Sequence, residues 1–364
     1  MSERRAFINA VAGVTPDHEV HRLFIDWAEG QVEDPRMRKL FMRMADRSGI
    51  DHRWSVLPPA PGGLPHDQPG GFYHGGMPAT STRMACYAEE APKLALGAIA
   101  KLREQVSLDG VTHLVVASCT GFIAPGIDQI IARELGMPNV ERTLVGFMGC
   151  YAAVSALRTA HHIVRSEPEA RVLTVTVELC TLHLQDRQAL ESLLAMLQFS
   201  DGAAAALVTS EPKGFEMSHL FSLALEDSAE LIQWEIGDTG FEMTLSGEVP
   251  HRIQQALEKD EVRATLYNGW GADQIDTWAV HAGGRSILDA VEKGLELPQG
   301  ALFASRDILQ RCGNMSSSTL MFVLSLLMER PDTARGVAIA FGPGLAAEGF
   351  HFERASPEGH RGAA

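Results

Sequence analysis

Cysteine is scarce in this chain. Five occur in 364 residues, at Cys86, Cys119, Cys150, Cys180 and Cys312, with no Cys-x-x-Cys pair. An odd count without paired spacing argues against both a disulfide framework and a structural zinc site. Positive charge is also in deficit, the formal net charge being −15. That balance excludes a general nucleic-acid-binding or anionic-membrane surface, although a local basic patch still suits an anionic ligand. Long apolar runs are missing as well. The longest, around Leu320 to Met328, is too short to span a bilayer, and the opening MSERRAFINAVAG has no signal-peptide core. A cytoplasmic, soluble protein is the expectation. His161-His162 makes no metal site, because adjacent helical positions point apart and no carboxylate sits at ligand spacing.

What is present is an ordinary globular balance, 45% apolar and 21% charged, organised by a long-period repeat. RVLTVTVELC begins at Arg171 and RGVAIAFGPG at Arg335, 164 positions apart. Gly149-Cys150 and Gly313-Asn314 each open a helical pattern at the same offset of 164, and the apolar runs leading to Cys119 and His281 are offset by 162. These matches predict two similar halves, 1–211 and 212–364, alternating apolar strands with helices. The class is α/β with the strands buried on both faces. Residues Leu57 to Ala79, rich in proline and glycine, read as a long loop that is disordered or part of a lid or interface. The tail after Ala355 reads as disordered.

Asp34-Pro35 signals a helix start and Gly49 its stop. Arg36, Lys39, Arg43 and Arg47 fall along one side, with Met37, Leu40, Phe41 and Met44 expected to fill the other. The cationic stripe reads either as a solvated face or as a clamp for phosphates.

Three residues carry candidate chemistry. Cys150 precedes Val154, Leu157, His161 and Val164 at helical spacing, which puts it in a first helical turn, where the helix dipole favours a thiolate. His281 ends the apolar run TWAV and is followed by AGGRS. The carboxyl end of a buried strand is where α/β proteins place ligands, and the glycines permit close approach. Asn314 opens the pattern NMSSSTLMFVL; it is read as an N-cap or as an amide donating into a cleft.

Together, GCYAA around Cys150, HAGGRSILDAVE from His281, GNMSSSTLMFVL around Asn314, FSDGAAAALV from Phe199 and FGPGL from Phe341 resemble the type III polyketide synthases, the chalcone synthase-like enzymes. The likeness runs from about Phe7 to Phe352. It implies a thiolase-like five-layered αβαβα fold in a homodimer, with acyl-CoA and malonyl-CoA as substrates and no metal or prosthetic group. Cys150 would carry the starter acyl group, and His281 with Asn314 would hold the malonyl thioester during decarboxylation. The chain would grow by iterative Claisen condensation and then cyclise to a pyrone, resorcinol or related product.

By the same resemblance, Phe199 and Met243 match two gatekeeper positions, both phenylalanine in the family. Cys119 and His183 match cavity threonines, and Ala124 matches a methionine that reaches into the partner subunit's cavity. Ser316 lies in the asparagine motif. Gly342, Pro343 and Gly344 form the glycine-rich loop beside the cavity. Arg43 and Arg47 match coenzyme A phosphate ligands, with Lys39 next to the third. The departures at Met243 and Ala124 suggest room for a long aliphatic starter.

Two relatives in chemistry share the fold: a 3-oxoacyl-[acyl-carrier-protein] synthase III-like enzyme, which uses the same triad, and a non-catalytic thiolase-fold acyl-binding protein. A papain-like hydrolase shares the Cys–His–Asn order, but would bring an export signal, disulfides and a different cysteine context.

Overall fold

The computed structural model describes residues 4–356; most of the tail after Ala355 therefore lies outside the described residues. Nine strands form one mixed sheet. In chain order they are β1 (Ala6–Val14), β2 (His113–Ser118), β3 (Glu141–Gly146), β4 (Val172–Leu179), β5 (Asp201–Thr209), β6 (Phe215–Ala224), β7 (Thr277–Val280), β8 (Arg335–Gly342) and β9 (Ala346–Arg354). Their spatial order is β7-β8-β9-β6-β1-β5-β4-β2-β3.

The two ends of this order mirror each other. β2 and β4 are parallel, β4 and β5 antiparallel, and β5 and β1 antiparallel. Likewise β7 and β8 are parallel, β8 and β9 antiparallel, and β9 and β6 antiparallel. The halves join through a short antiparallel contact in which Ala6–Ile8 pair with Phe215–Met217. The repeat seen in the sequence is thus a repeat of topology.

Side-chain alternation sorts the layers. On β2, Val115 and Ala117 face a core built on the helices Ala152–Ser166 and Ser318–Met328, which also receives Ala338 and Ala340 of β8. Leu114 and Val116 face the opposite way, onto the long helix Thr80–Arg103. In the second half Val337 and Ile339 face the helices Val249–Leu257 and Arg285–Gly294. The result is five layers: outer helices, half-sheet, central helix pair, half-sheet, outer helices. Because both sheet faces are covered, β4 and β5 are buried at every position, which suits their mainly apolar sequences.

One reading from the sequence needs correction, and one open alternative is decided. Helix Pro35–Asp46 buries only Phe41 and Ala45; Met37 and Met44 stand 38% and 43% exposed. They lie about 60° and 80° round the helix from the midpoint of the buried pair, toward the solvent side. The segment Leu57 to Ala79 is built rather than loose. Leu57, Ala60 and Tyr73 are buried, and the Tyr73 hydroxyl donates to the Thr181 carbonyl at 2.6 Å.

Candidate active site

Two cavities meet at Cys150. The outer one, about 480 Å³, is lined by Cys150, His281 and Asn314, with Met44 and Leu194 among the apolar groups at its rim. The inner one, about 440 Å³, is lined by Cys119, Cys150, Cys180, His183, Ser316 and Pro343, among others. Phe199 and Met243 line both cavities, so they stand where the two join. The Leu57–Ala79 segment covers the inner cavity through Leu57, His66 and Tyr73.

Cys150 sits in a 3-10 turn, Gly149–Tyr151, immediately before the central helix Ala152–Ser166. Gly149 has φ +72°, and a Cβ there would lie 2.4 Å from Pro343 Cδ, so glycine is what lets the FGPGL loop close over the cysteine. The thiol is buried, and burial pushes it up to about 12, only partly opposed by the Ser316 hydroxyl. Burial thus opposes the thiolate that the helix position favours.

His281 follows β7 and is fixed by its backbone amide, which donates to the Ile339 carbonyl at 2.8 Å. Burial alone lowers its ring to about 3, so the imidazole is neutral. Neither ring nitrogen has a hydrogen-bond partner among the described residues, and no hydrogen bond joins it to Cys150. The site thus sets a buried thiol and a neutral imidazole on the lining of one cavity. Facing the cavity with no protein partner, both ring nitrogens are free to meet a ligand there.

Asn314 is not an N-cap. The α-helix begins at Ser318, and Asn314 instead forms a parallel bridge with Phe199. Its amide donates from Nδ2 to the Gly283 carbonyl at 3.2 Å, while its Oδ1 accepts from the Ser316 amide at 2.9 Å. Ser316, with φ +48°, places its hydroxyl 3.8 Å from Cys150 Sγ and 3.2 Å from Cys119 Sγ.

Beneath these groups lies a residue that the motif reading missed. Glu178 is fully buried at the end of β4. It accepts from the Cys119 amide at 3.0 Å, from the Thr120 hydroxyl at 2.9 Å and from the Ser317 hydroxyl. Burial raises it to about 7. An acid inside an otherwise apolar strand run was the available signal. His183 is fully committed: Nε2 bonds the Thr120 carbonyl at 2.7 Å, Nδ1 accepts from the Phe241 amide at 2.9 Å, and its ring stacks on Phe241. It is a cavity wall, held neutral by burial that lowers it to about 3.

The remaining candidates divide. Gly342 lines the outer cavity and Pro343 the inner, whereas Gly344 lines neither. Ala124 is exposed, beside a cis bond to Pro125, and also lines neither. Lys39, Arg43 and Arg47 are exposed on the helix that brings Met44 to the outer cavity.

The profile of the chalcone and stilbene synthase N-terminal domain matches residues 2–212, and that of the C-terminal domain matches residues 219–355. This chain is a type III polyketide synthase. The synthase is 31% identical to the alpha-pyrone synthesis polyketide synthase-like Pks18 of Mycobacterium tuberculosis, over 96% of this chain and 91% of that protein. It is 34% identical to 1,3,6,8-tetrahydroxynaphthalene synthase of Streptomyces peucetius, over 72% and 71%. PKS-I from the brown alga Ectocarpus siliculosus superposes with a TM-score of 0.87 at 26% identity, covering 96% of this chain and 98% of that one. Among the described residues no group of His, Cys, Asp and Glu is arranged to hold a metal ion, and no helix is long and apolar enough to cross a membrane. The synthase is a condensing acyltransferase that joins coenzyme A thioesters, which themselves bring the activation.

Proposed function

We propose that Cys150 carries the growing acyl chain, that His281 and Asn314 hold the malonyl thioester, and that the inner cavity receives an aliphatic starter and guides its closure to a pyrone-type product. One observation carries this reading: Cys150 faces both cavities, while His281 and Asn314 line only the outer one. Extender and acyl chain then have separate rooms that share the sulfur.

In loading, Cys150 Sγ attacks the acyl-CoA carbonyl as His281 takes the thiol proton. The carbon–sulfur bond to coenzyme A breaks, and that proton leaves with the coenzyme A thiol. The transfer is concerted with attack, so neither a free thiolate nor a free imidazolium has to accumulate in the buried site. Malonyl-CoA next binds with its thioester oxygen toward the His281 ring N–H and the Asn314 amide. Carbon dioxide departs, its bonding electrons form the enolate, and the two donors stabilise the oxygen as charge develops. The enolate carbon attacks the acyl-Cys150 carbonyl and expels the sulfur as a thiolate, which takes up a proton from solvent, leaving the chain two carbons longer on coenzyme A. Reloading onto Cys150 permits the next cycle.

The choice of product draws on likeness to the Pks18 protein, named for alpha-pyrone synthesis, and on the smaller, flexible Met243 at the junction. Lys39, Arg43 and Arg47 grip the coenzyme A phosphates at the outer mouth. We keep the division into halves 1–211 and 212–364, supported by their mirrored topologies. A cytoplasmic location belongs to the same reading.

A homodimer is supported by the edge strand β3, which is exposed along most of its length. Leu144 on it is 44% exposed, and Phe122 in the neighbouring Ala124 loop is 42% exposed. An uncovered edge of this kind is a ready template for pairing with a second copy. Ala124 then lies on the face that meets the partner, and sedimentation of the native protein as a monomer would remove this part.

The experiment is a panel of acyl-CoA starters of rising length incubated with malonyl-CoA, with products and intact protein read by mass spectrometry. An acyl adduct on Cys150 and pyrone masses from medium or long chains are expected. Turnover of malonyl-CoA alone, or of aromatic starters only, would end the aliphatic assignment.

A further inference from the structure

The helix Pro35–Asp46 carries more than a coenzyme A clamp needs. Lys39, Arg43 and Arg47 span about 12 Å along its axis. Arg36 extends the stripe by a further turn, to about 16 Å in all. All four are exposed, and among the described residues no carboxylate pairs with any of them, although Asp46 stands on the helix beside Lys39's side of the stripe. Alongside the stripe runs an apolar one: Met37 and Met44 are exposed, Leu40 is half-buried between them, and Met44 reaches the rim of the outer cavity. Phosphates do not account for an exposed methionine two turns from the mouth. Cationic and apolar stripes lying side by side on one helix form the counterpart of an acidic amphipathic helix.

We propose that this face docks an acidic acyl carrier protein, so that the synthase accepts starter acyl groups on a protein-borne phosphopantetheine as well as on coenzyme A. The inference rests on the condensing-enzyme reading of Cys150. The two donors present the same pantetheine thioester to the cavity and differ only in what is attached beyond the phosphate. With the thioester at Cys150, the arm leaves past Met44 and its phosphate reaches the cations that serve coenzyme A. The protein behind it covers Arg36 and Met37. A stripe of this size suits a small, transient interface, as repeated delivery requires. An anionic bilayer fits less well. A plane would also face the acidic remainder of a chain with net charge −15, whereas a small partner lies within one screening length, about 8–10 Å, of the stripe alone.

The test compares decanoyl-CoA with a decanoylated bacterial acyl carrier protein, using the full-length enzyme, malonyl-CoA and product mass, at two salt concentrations. Wild-type enzyme should use both donors, the carrier reaction falling more steeply with salt than the coenzyme A reaction. Arg36→Glu and Met37→Glu alter exposed side chains outside the coenzyme A clamp. Each should lower kcat/KM for the carrier-borne donor at least tenfold and leave the coenzyme A donor within twofold, with unchanged melting temperature. Use of decanoyl-CoA without any use of the carrier overturns the docking proposal alone, as does an equal response of both donors to the variants. Failure of both donors in the wild type overturns the condensing reading and the docking with it. Co-sedimentation with phosphatidylglycerol vesicles that the variants abolish, while carrier kinetics stay unchanged, would assign the stripe to a membrane and overturn it too.

Discussion

Phe199 and Asn314 are joined backbone to backbone: the Asn314 amide donates to the Gln198 carbonyl at 2.8 Å, and the Ser200 amide donates to the Asn314 carbonyl at 2.9 Å. The aromatic ring where the two cavities join and the amide proposed to hold the extender therefore cannot move independently. Gly313 makes this bridge possible. Its φ is +68°, and a Cβ there would lie 2.8 Å from Arg53 Cγ and 3.0 Å from the Gln198 carbonyl.

Gly313→Ala should accordingly cost about 1–3 kcal/mol of stability, as a non-glycine residue forced into a left-handed conformation does. Activity should suffer more than folding. At a temperature where the variant is fully folded, condensation is expected to fall by about 100-fold, because displacements near 1 Å at a reacting centre have that effect. Normal turnover in a folded variant would detach the bridge from catalysis.

Cys150→Ala should abolish product formation while a slow loss of carbon dioxide from malonyl-CoA persists, since His281 and Asn314 remain in the outer cavity. His281→Ala and Asn314→Ala should each slow that decarboxylation by about 10²–10³, the usual cost of one oxyanion donor. The release of labelled carbon dioxide separates the two steps. Unchanged release in either variant removes that residue from its role.

Arg43→Glu replaces a phosphate ligand by a repelling charge on an exposed helix. KM for malonyl-CoA should rise about tenfold, with kcat within a factor of three, because the contact is made equally in ground and transition states. A fall in kcat with KM untouched would argue against the clamp.

The pH dependence of stability has two opposed sources. Glu178 is raised from 4.5 to about 7. Between those values the folded chain keeps a proton that the unfolded chain has lost, so this contribution is full below pH 4.5 and is lost as pH rises through 7. His281 is lowered from 6.5 to about 3; its contribution is full above 6.5 and is lost as pH falls toward 3. Melting temperatures of wild type and Glu178→Gln should therefore diverge between about pH 4.5 and 7, the wild type losing more stability as pH rises through that window. Parallel curves would mean that the carboxyl titrates normally. Malonyl-CoA decarboxylation should show no acid limb near 6.5, because the imidazole is already neutral there.

Much was legible in the sequence because it is written locally or periodically. The two-half α/β architecture follows from apolar strand runs and helical spacings recurring at one offset, and the identities of Cys150, His281 and Asn314 follow from the strings around them. Only the tertiary structure decided what those residues are like. Charge state depends on burial by distant segments: the thiol at position 150 is pushed toward its neutral form by desolvation that no neighbour in the chain reveals. Whether Met37 and Met44 reach a core depends on which neighbouring helix lies beneath them. Whether Asn314 caps a helix or bridges to Phe199 depends on a contact more than a hundred residues away. A sequence carries pattern; solvent exclusion and long-range pairing arise only when the segments meet.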